Sequence, residues 1–322
     1  MKQPAPTDRR HEPLPEERPK PGSEDPQAPA RVRAILDSPS YRRADRDLAF
    51  LQREDMRGVR LMLDYRKPQT LLTEQDVAHT IVVFGGTRIP EPEAARREVA
   101  AAADALAIRP DDATLGKRLQ IAKRILAKSR YYEVARELGR LVGHCGNLAI
   151  GGRIMVMTGG GPGIMEAANR GACDVGAKSI GLNITLPHEQ YPNPYVTPEL
   201  CFLFHYFAMR KFHFALRARA LVAFPGGYGT LDEIFEILTL AQTRKLPPVP
   251  VILVGEEYWR GVFNADFLVE EGTIDPEDRD LFWYAETAEQ IWRDILGWYE
   301  LKGEPLLPPG ADAFRVPGTA SV

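Results

Sequence analysis

Runs of consecutive apolar residues, each ending in a glycine-rich turn and separated by stretches of helical periodicity, set the plan of this chain. Ala220, Leu221, Val222, Ala223 and Phe224 lead directly into Pro225, Gly226, Gly227, Tyr228, Gly229, Thr230, Leu231, Asp232 and Glu233. Ile154 to Met157 lead likewise into Thr158, Gly159, Gly160, Gly161, Pro162, Gly163, Ile164, Met165 and Glu166. Earlier, Thr80 to Phe84 give way to Gly85, Gly86, Thr87 and Arg88. Further strands are expected over 153–158, 179–184, 200–204, 220–224, 249–254 and 282–285. Helices are expected over 163–176, 206–218, 231–243, 256–270 and 287–299. A long helical region after Arg88, broken near Pro110 to Thr114, offers Leu119, Ala122, Leu126, Tyr132, Ala135, Leu138 and Val142 as its apolar face. Apolar strands alternating with helices predict an α/β fold, a doubly wound parallel sheet covered on both faces. In such a sheet the ligand sits beyond the carboxyl ends of the strands, where the glycine turns lie.

The ends of the chain break this pattern. Residues 1–30 are crowded with proline and charge and are expected to form a disordered tail, because they bury too little surface to offset the entropy of ordering. Over 31–78, Leu48, Leu51, Met56, Val59 and Leu63 recur at helical spacing, giving an N-terminal helical extension. The main domain is expected over 79–301 and a proline-rich C-terminal tail over 302–322.

Composition narrows the functional classes. An apolar content of 44% suits an ordinary soluble core, and a net charge of −3 supplies no field that would gather nucleic acid or an anionic membrane. The first residues show no apolar signal segment, and no stretch approaches the roughly 20 apolar residues of a membrane span, so a cytoplasmic protein is expected. Cys145, Cys173 and Cys201 are far apart and read as reduced thiols of the core. No metal is expected, since the six histidines have no zinc-helix spacing. No cofactor is expected either. Lys178, Lys211 and Lys245 lack the context of a pyridoxal lysine. The Gly159 run lacks dinucleotide spacing, and the following strand carries Asn183 where a ribose-binding carboxylate would stand. The Pro225 turn lacks the Gly-Lys-Ser/Thr of a P-loop.

What the turns do offer is anion binding, because glycines let the backbone approach closely and a new helix presents free N–H groups favoured by its dipole. Two such turns, at Gly159 to Gly163 and at Pro225 to Gly229, suggest a nucleotide-like ligand.

Pro225 to Glu233, with Met209, Arg210 and Lys211 upstream and Gly159 to Glu166 before them, resemble the LOG ("lonely guy") family, whose members have also been called lysine decarboxylases. The resemblance covers about Thr80 to Leu301. It implies a Rossmann-like sheet without a dinucleotide and hydrolysis of the N-glycosidic bond of nucleoside 5′-monophosphates, AMP or cytokinin riboside monophosphates among them, to free base and ribose 5-phosphate. It places the family's catalytic arginine on Arg210 and its catalytic glutamate on Glu233, and its phosphate-binding turn on Gly226, Gly227, Gly229 and Thr230. Its early Gly-Ser-x-Arg loop falls on Gly85, Gly86, Thr87 and Arg88, with Gly86 where many members have serine. It also implies a homodimer or higher homo-oligomer, for which Phe202, Phe204, Tyr206, Phe207, Phe212 and Phe214 around Arg210 supply apolar surface. Related Rossmann-like proteins carry molybdenum cofactor or sense nucleotides without turnover, which leaves a binding module as the alternative.

The side chains fit hydrolysis independently of the family. A carboxylate such as Glu233 stabilises positive charge on a ribosyl centre or activates water, and the Arg210 guanidinium suits phosphate or a carboxylate. Plainer readings stand beside these: Thr230 to Glu233 is also a capping box, Glu166 can serve structure alone, and Lys211 can be a solvated neighbour.

Overall fold

The computed structural model describes residues 18–186 and 191–314. The chain divides into two compact units, Met1–Arg60 and Leu61–Val322. In the first, α1 (Ala28–Leu36) and the single turn α2 (Leu48–Leu51) are joined by short turns, with the Asp47 carboxylate accepting from Phe50 N at the start of α2. The Arg60 guanidinium donates to the carbonyls of Leu51 and Arg53. Helix is thus present from Ala28, inside the stretch expected to be a tail; residues 1–17 lie outside the described residues. The unit boundary falls within α3 (Arg57–Glu74), earlier than the expected change near 78, because the later turns of α3 belong to the main core, where Leu72 is fully buried.

The second unit is built on seven strands: β1 (Val77–Phe84), β2 (Arg153–Thr158), β3 (Ser179–Ile184), β4 (Cys201–Phe204), β5 (Ala218–Ala223), β6 (Val251–Val254) and β7 (Trp283–Ala285). Their order is β4-β3-β2-β1-β5-β6-β7 and every pairing is parallel. The chain winds outward from β1 to β4, crosses back to the other side of β1, and winds outward again to β7, so the order reverses between β1 and β5. The helices are α4 (Pro92–Ile108), α5 (Ala113–Lys128), α6 (Arg130–Cys145), α7 (Ile164–Asp174), α8 (Phe207–Leu216), α9 (Tyr228–Gln242), α10 (Glu256–Arg260), α11 (Ala265–Glu270) and α12 (Ala288–Leu301).

Strand periodicity splits the core into two layers. Ile81, Val83, Val156 and Val222 face one side, with Tyr132, Leu138 and Val142 of α6 and Ile291, Trp292 and Ile295 of α12. Val82, Phe84, Leu221 and Ala223 face the other, with Phe214 of α8, Ile234 and Ile237 of α9 and Trp259 of α10. Burial on both faces is why these strands are apolar runs instead of alternating ones. The expected doubly wound parallel sheet is what the chain forms.

Several expected boundaries move, each for a local reason. The expected helix 256–270 is two helices, broken after Gly261, with the Asn264 side chain accepting from Phe267 N to start α11. Ser129, whose hydroxyl donates to Leu126 O, separates α5 from α6. Part of the expected C-terminal tail is core: Leu306, Leu307 and Ala313 are buried, Ile150 N donates to Leu306 O, and Trp292 Nε1 donates to Ala313 O. Irregular chain of turns and bends held by isolated apolar residues has no period for a pattern to register. Cys145 is buried, but Cys173 is exposed, so the cysteines are not uniformly core residues.

Candidate active site

A sheet whose order reverses between β1 and β5 leaves a crevice at their carboxyl ends. The turn after β1 and the turn after β5 meet there, and Gly86 N donates to Pro225 O at 2.9 Å. Serine at position 86 would place its Cβ 3.0 Å from that carbonyl, so this close contact of the two turns suits the glycine found.

A cavity of about 310 Å³ opens above the crevice, lined by Gly85, Gly86, Thr87, Gly159, Arg210, Gly227, Gly229, Thr230 and Glu233, with Asp232 at its edge. Its remaining wall is apolar: Phe84, Met165, Ile184, Leu186 and Phe207. An adjoining cavity of about 270 Å³ is lined by Gly86, Thr87, Arg88, Ile89, Lys128, Pro225, Gly226, Gly227 and Tyr258. Residues from five separate stretches of sequence therefore converge on the first cavity, and Lys128 and Tyr258 bring in two more at the second.

Helix α9 begins at Tyr228 rather than 231, with Gly227 as its N-cap and no side-chain cap. Thr230 is then already inside the first turn and Glu233 lies a turn further on, so the two cannot form a capping box. Glu233 is instead 5% exposed, with no hydrogen bond among the described residues, on the wall of the cavity. Burial pushes its carboxyl up to about 7, against the pull of Arg210 and then Lys211. Among the described residues it makes no ion pair with Arg210, although the two charges act on one another through space.

Arg210 is fixed by its surroundings. Its Nε donates to Leu182 O on β3 at 2.8 Å, and its guanidinium lies 5.3 Å from the Phe214 ring centre. Burial lowers its pKa from the ordinary value, with Glu233 opposing the shift. The guanidinium also lies against Gly159, where a Cβ would come 2.5 Å from Nη2, so a larger residue here would displace the end of the arginine.

The Gly159–Gly163 turn is held mainly by the protein. Gly160 N donates to the Thr158 hydroxyl, whose hydrogen goes to Asn169 Oδ1 at 2.7 Å. Asn193 N donates to Gly160 O and its Nδ2 to both Gly161 O and Asn169 Oδ1. Asn169 completes the network by donating to the Ser179 hydroxyl and Ile180 O. Gly163, at φ +73°, caps α7 so tightly against the β1 turn that a Cβ would lie 2.5 Å from Gly86 O, and Ile164 N donates to that same carbonyl. The two turns expected to bind anions differ in geometry: the start of α9 opens into the cavities, while the start of α7 is tied to Gly86.

Other expected site residues lie apart. Lys211 Nζ is 3.0 Å from both Asp232 and Glu236, an ion-paired link between α8 and α9 outside the cavity lining. Met209 packs on the core layer beneath α8. Glu166 accepts from the Tyr132 hydroxyl at 2.9 Å, within the α6–α7 packing. Sequence reasoning missed Met165, Ile184, Leu186, Phe207, Lys128 and Tyr258 in the lining and Asn169 and Asn193 beneath the turn. Met165 and Phe207 stood inside quoted stretches; the others carry no local signal.

A buried carboxyl that ionises near neutrality, an immobilised guanidinium and a helix start free to receive an anion together suit heterolysis at a sugar carbon: the carboxylate faces the positive charge, and the N–H groups hold a phosphate. Among the described residues no helix is long and apolar enough to cross a membrane.

Comparison with known proteins shows what the chain is similar to. The family model described as possible lysine decarboxylase matches residues 165–295. The chain is 31% identical over 173 residues to the cytokinin riboside 5′-monophosphate phosphoribohydrolase LOG3 of Arabidopsis thaliana, covering 52% of this chain and 75% of that protein. It is 31% identical over 189 residues to the probable cytokinin riboside 5′-monophosphate phosphoribohydrolase LOGL5 of Oryza sativa subsp. japonica, covering 58% of this chain and 70% of that one. Among solved structures, the Moco carrier protein of Chlamydomonas reinhardtii aligns at a TM-score of 0.35 and 22% identity, covering 52% of this chain and 89% of that chain, too slight a likeness to weigh between turnover and carriage.

Proposed function

The chain belongs to the LOG family, and from that premise we propose that it hydrolyses the N-glycosidic bond of nucleoside 5′-monophosphates, AMP or cytokinin riboside monophosphates, to free base and ribose 5-phosphate. The observation that carries this reading is the placement of Glu233, buried and unbonded, across one cavity from Arg210 at the start of α9. In the reaction the C1′–N bond breaks with its electron pair leaving on the base, and water adds its oxygen to C1′. One proton of that water passes to Glu233 and the departing base takes up a proton, so that water is divided between the two products. The ionised Glu233 stabilises the ribosyl cation, while the α9 N–H groups anchor the phosphate and fix C1′ beside the carboxylate. Arg210, held by Leu182 O and Phe214, keeps a positive charge in the same cavity as Glu233, where it favours the ionised carboxylate.

The test is incubation of purified protein with a panel of nucleoside 5′-monophosphates and the matching nucleosides, scored for free base. Release from monophosphates with poor release from nucleosides is expected. Equal efficiency on AMP and adenosine removes phosphate anchoring from the mechanism, and binding without base release leaves a carrier or sensor.

A further inference from the structure

The two cavities at the crevice are separated by charge. They share Gly86, Thr87 and Gly227, but both carboxylates, Asp232 and Glu233, line the one containing Arg210. The other has no acidic lining residue and two cations, Arg88 and Lys128. Among the described residues neither cation makes an ion pair or a hydrogen bond; Lys128 Nζ only lies 6.0 Å from the Tyr258 ring centre. The Tyr258 hydroxyl is already committed, donating to Gly226 O at 2.5 Å, so it forms wall and leaves the cations to meet the ligand. Lys128 is the last residue of α5 and belongs to none of the glycine turns.

On the monophosphate reading proposed above, this arrangement suits one orientation of a nucleotide. With C1′ at Glu233, the base meets the apolar wall of Ile184, Leu186 and Phe207, and the 5′-phosphate lies at the shared rim over Gly227, where α9 begins. Anything attached beyond that phosphate passes the rim into the Arg88–Lys128 cavity, about 270 Å³ of cationic space that a monophosphate does not need. We propose that this cavity is a second-phosphate subsite, so that nucleoside 5′-diphosphates bind more tightly than monophosphates and compete with them for the site. The inference rests on the proposed monophosphate reading for the pose, and on the unpaired cations for the extra phosphate.

The experiment uses the full chain and two probes, AMP and ADP. Affinities are measured by calorimetry on the Glu233→Gln protein, so that turnover does not consume the ligand, and competition is measured as ADP inhibition of base release from AMP by the unaltered protein. ADP is expected to bind at least about tenfold more tightly than AMP, and Lys128→Ala is expected to reduce that preference about tenfold, as loss of a charge-assisted contact does. Lys128 stands half-exposed at a helix end, so folding of the variant is not at issue. ADP binding no tighter than AMP, or a preference unchanged in Lys128→Ala, overturns the proposal. Base release from AMP that ADP does not inhibit overturns it while leaving the monophosphate reading intact. Lys128-dependent ADP binding in a protein that releases no base supports the subsite and instead rejects the hydrolytic reading.

Discussion

Glu233 concentrates the chemistry of the site into one titration. Burial holds its folded-state carboxyl at about 7, above an ordinary value of 4.5. Between those two values the folded protein keeps a proton that the unfolded chain has released, so raising the pH through that window lowers stability, by about 3 kcal/mol at most. Glu233→Gln removes the ionisation and the slope with it. The variant is expected to melt above the unaltered protein at pH 8 and level with it near pH 4.5, while base release falls about a hundredfold or more. Melting curves at the two pH values and single-substrate turnover check this; near-normal turnover in the variant sinks the catalytic assignment. Two neighbouring glycines give an opposite pair. A Cβ at Gly226 overlaps the Thr230 hydroxyl and Cβ, so Gly226→Ala should cost about 1–3 kcal/mol in a denaturant titration. A Cβ at Gly229 meets nothing within 4 Å, so Gly229→Ala should leave the melting temperature unchanged or slightly higher and show itself only as a raised KM.

At the scale of elements, the strand-to-turn-to-helix joints do most of the positioning, and they are not equivalent. The α9 joint is held by Gly86 N on Pro225 O and by the Tyr258 hydroxyl on Gly226 O, and stays open to the cavities. The α7 joint is clamped from beneath by Asn193, which lies in the connection between β3 and β4 that also places Leu186 on the cavity wall. Asn193→Ala strips the donor from Gly161 O and one of the donors from Asn169 Oδ1, both in buried surroundings. A loss of about 1–3 kcal/mol is expected from the missing hydrogen bonds. Turnover should fall as well, because Gly159, in the same turn, packs against the Arg210 guanidinium. Denaturation midpoints and kcat measured on one preparation check both halves; a stability loss with unchanged kcat would confine Asn193 to structure. The glycine runs announced both joints in the sequence, but not which one is free, because that depends on where Gly86 O and Asn193 arrive from distant parts of the chain.

At the scale of the whole molecule, the apolar surface near the site points to self-association. Phe202, Phe204 and Phe214 of the aromatic cluster are core residues, yet Phe207 and Phe212 are about half exposed and Leu203 is 70% exposed. We propose that these exposed residues contribute to a homo-oligomer interface. Light scattering at micromolar concentration is expected to give at least twice the chain mass of 36.0 kDa, and a monomeric mass would reject the interface.

Local order was legible in the residues themselves. Apolar runs such as Ala220–Phe224, alternating with helical stretches, fit strands of a parallel sheet covered on both faces, and glycine turns after them are visible without any partner. Those features determined the doubly wound plan and the crevice, and the resemblance carried by Arg210 and Pro225–Glu233 singled out the pair that now lines one cavity. The rest depended on packing between distant segments. Starting α9 at Tyr228 turned Glu233 from a possible cap into a buried carboxyl that titrates near 7. Packing of the end of α5 beside the turn after β1 brought Lys128 and Arg88 to one cavity with Pro225, Gly226 and Gly227, and contacts with distant Ile150 and Trp292 drew the segment of Leu306, Leu307 and Ala313 from an apparent tail into the core. Burial and through-space charge are properties of neighbours in three dimensions, and a sequence period records only neighbours along one strand or helix.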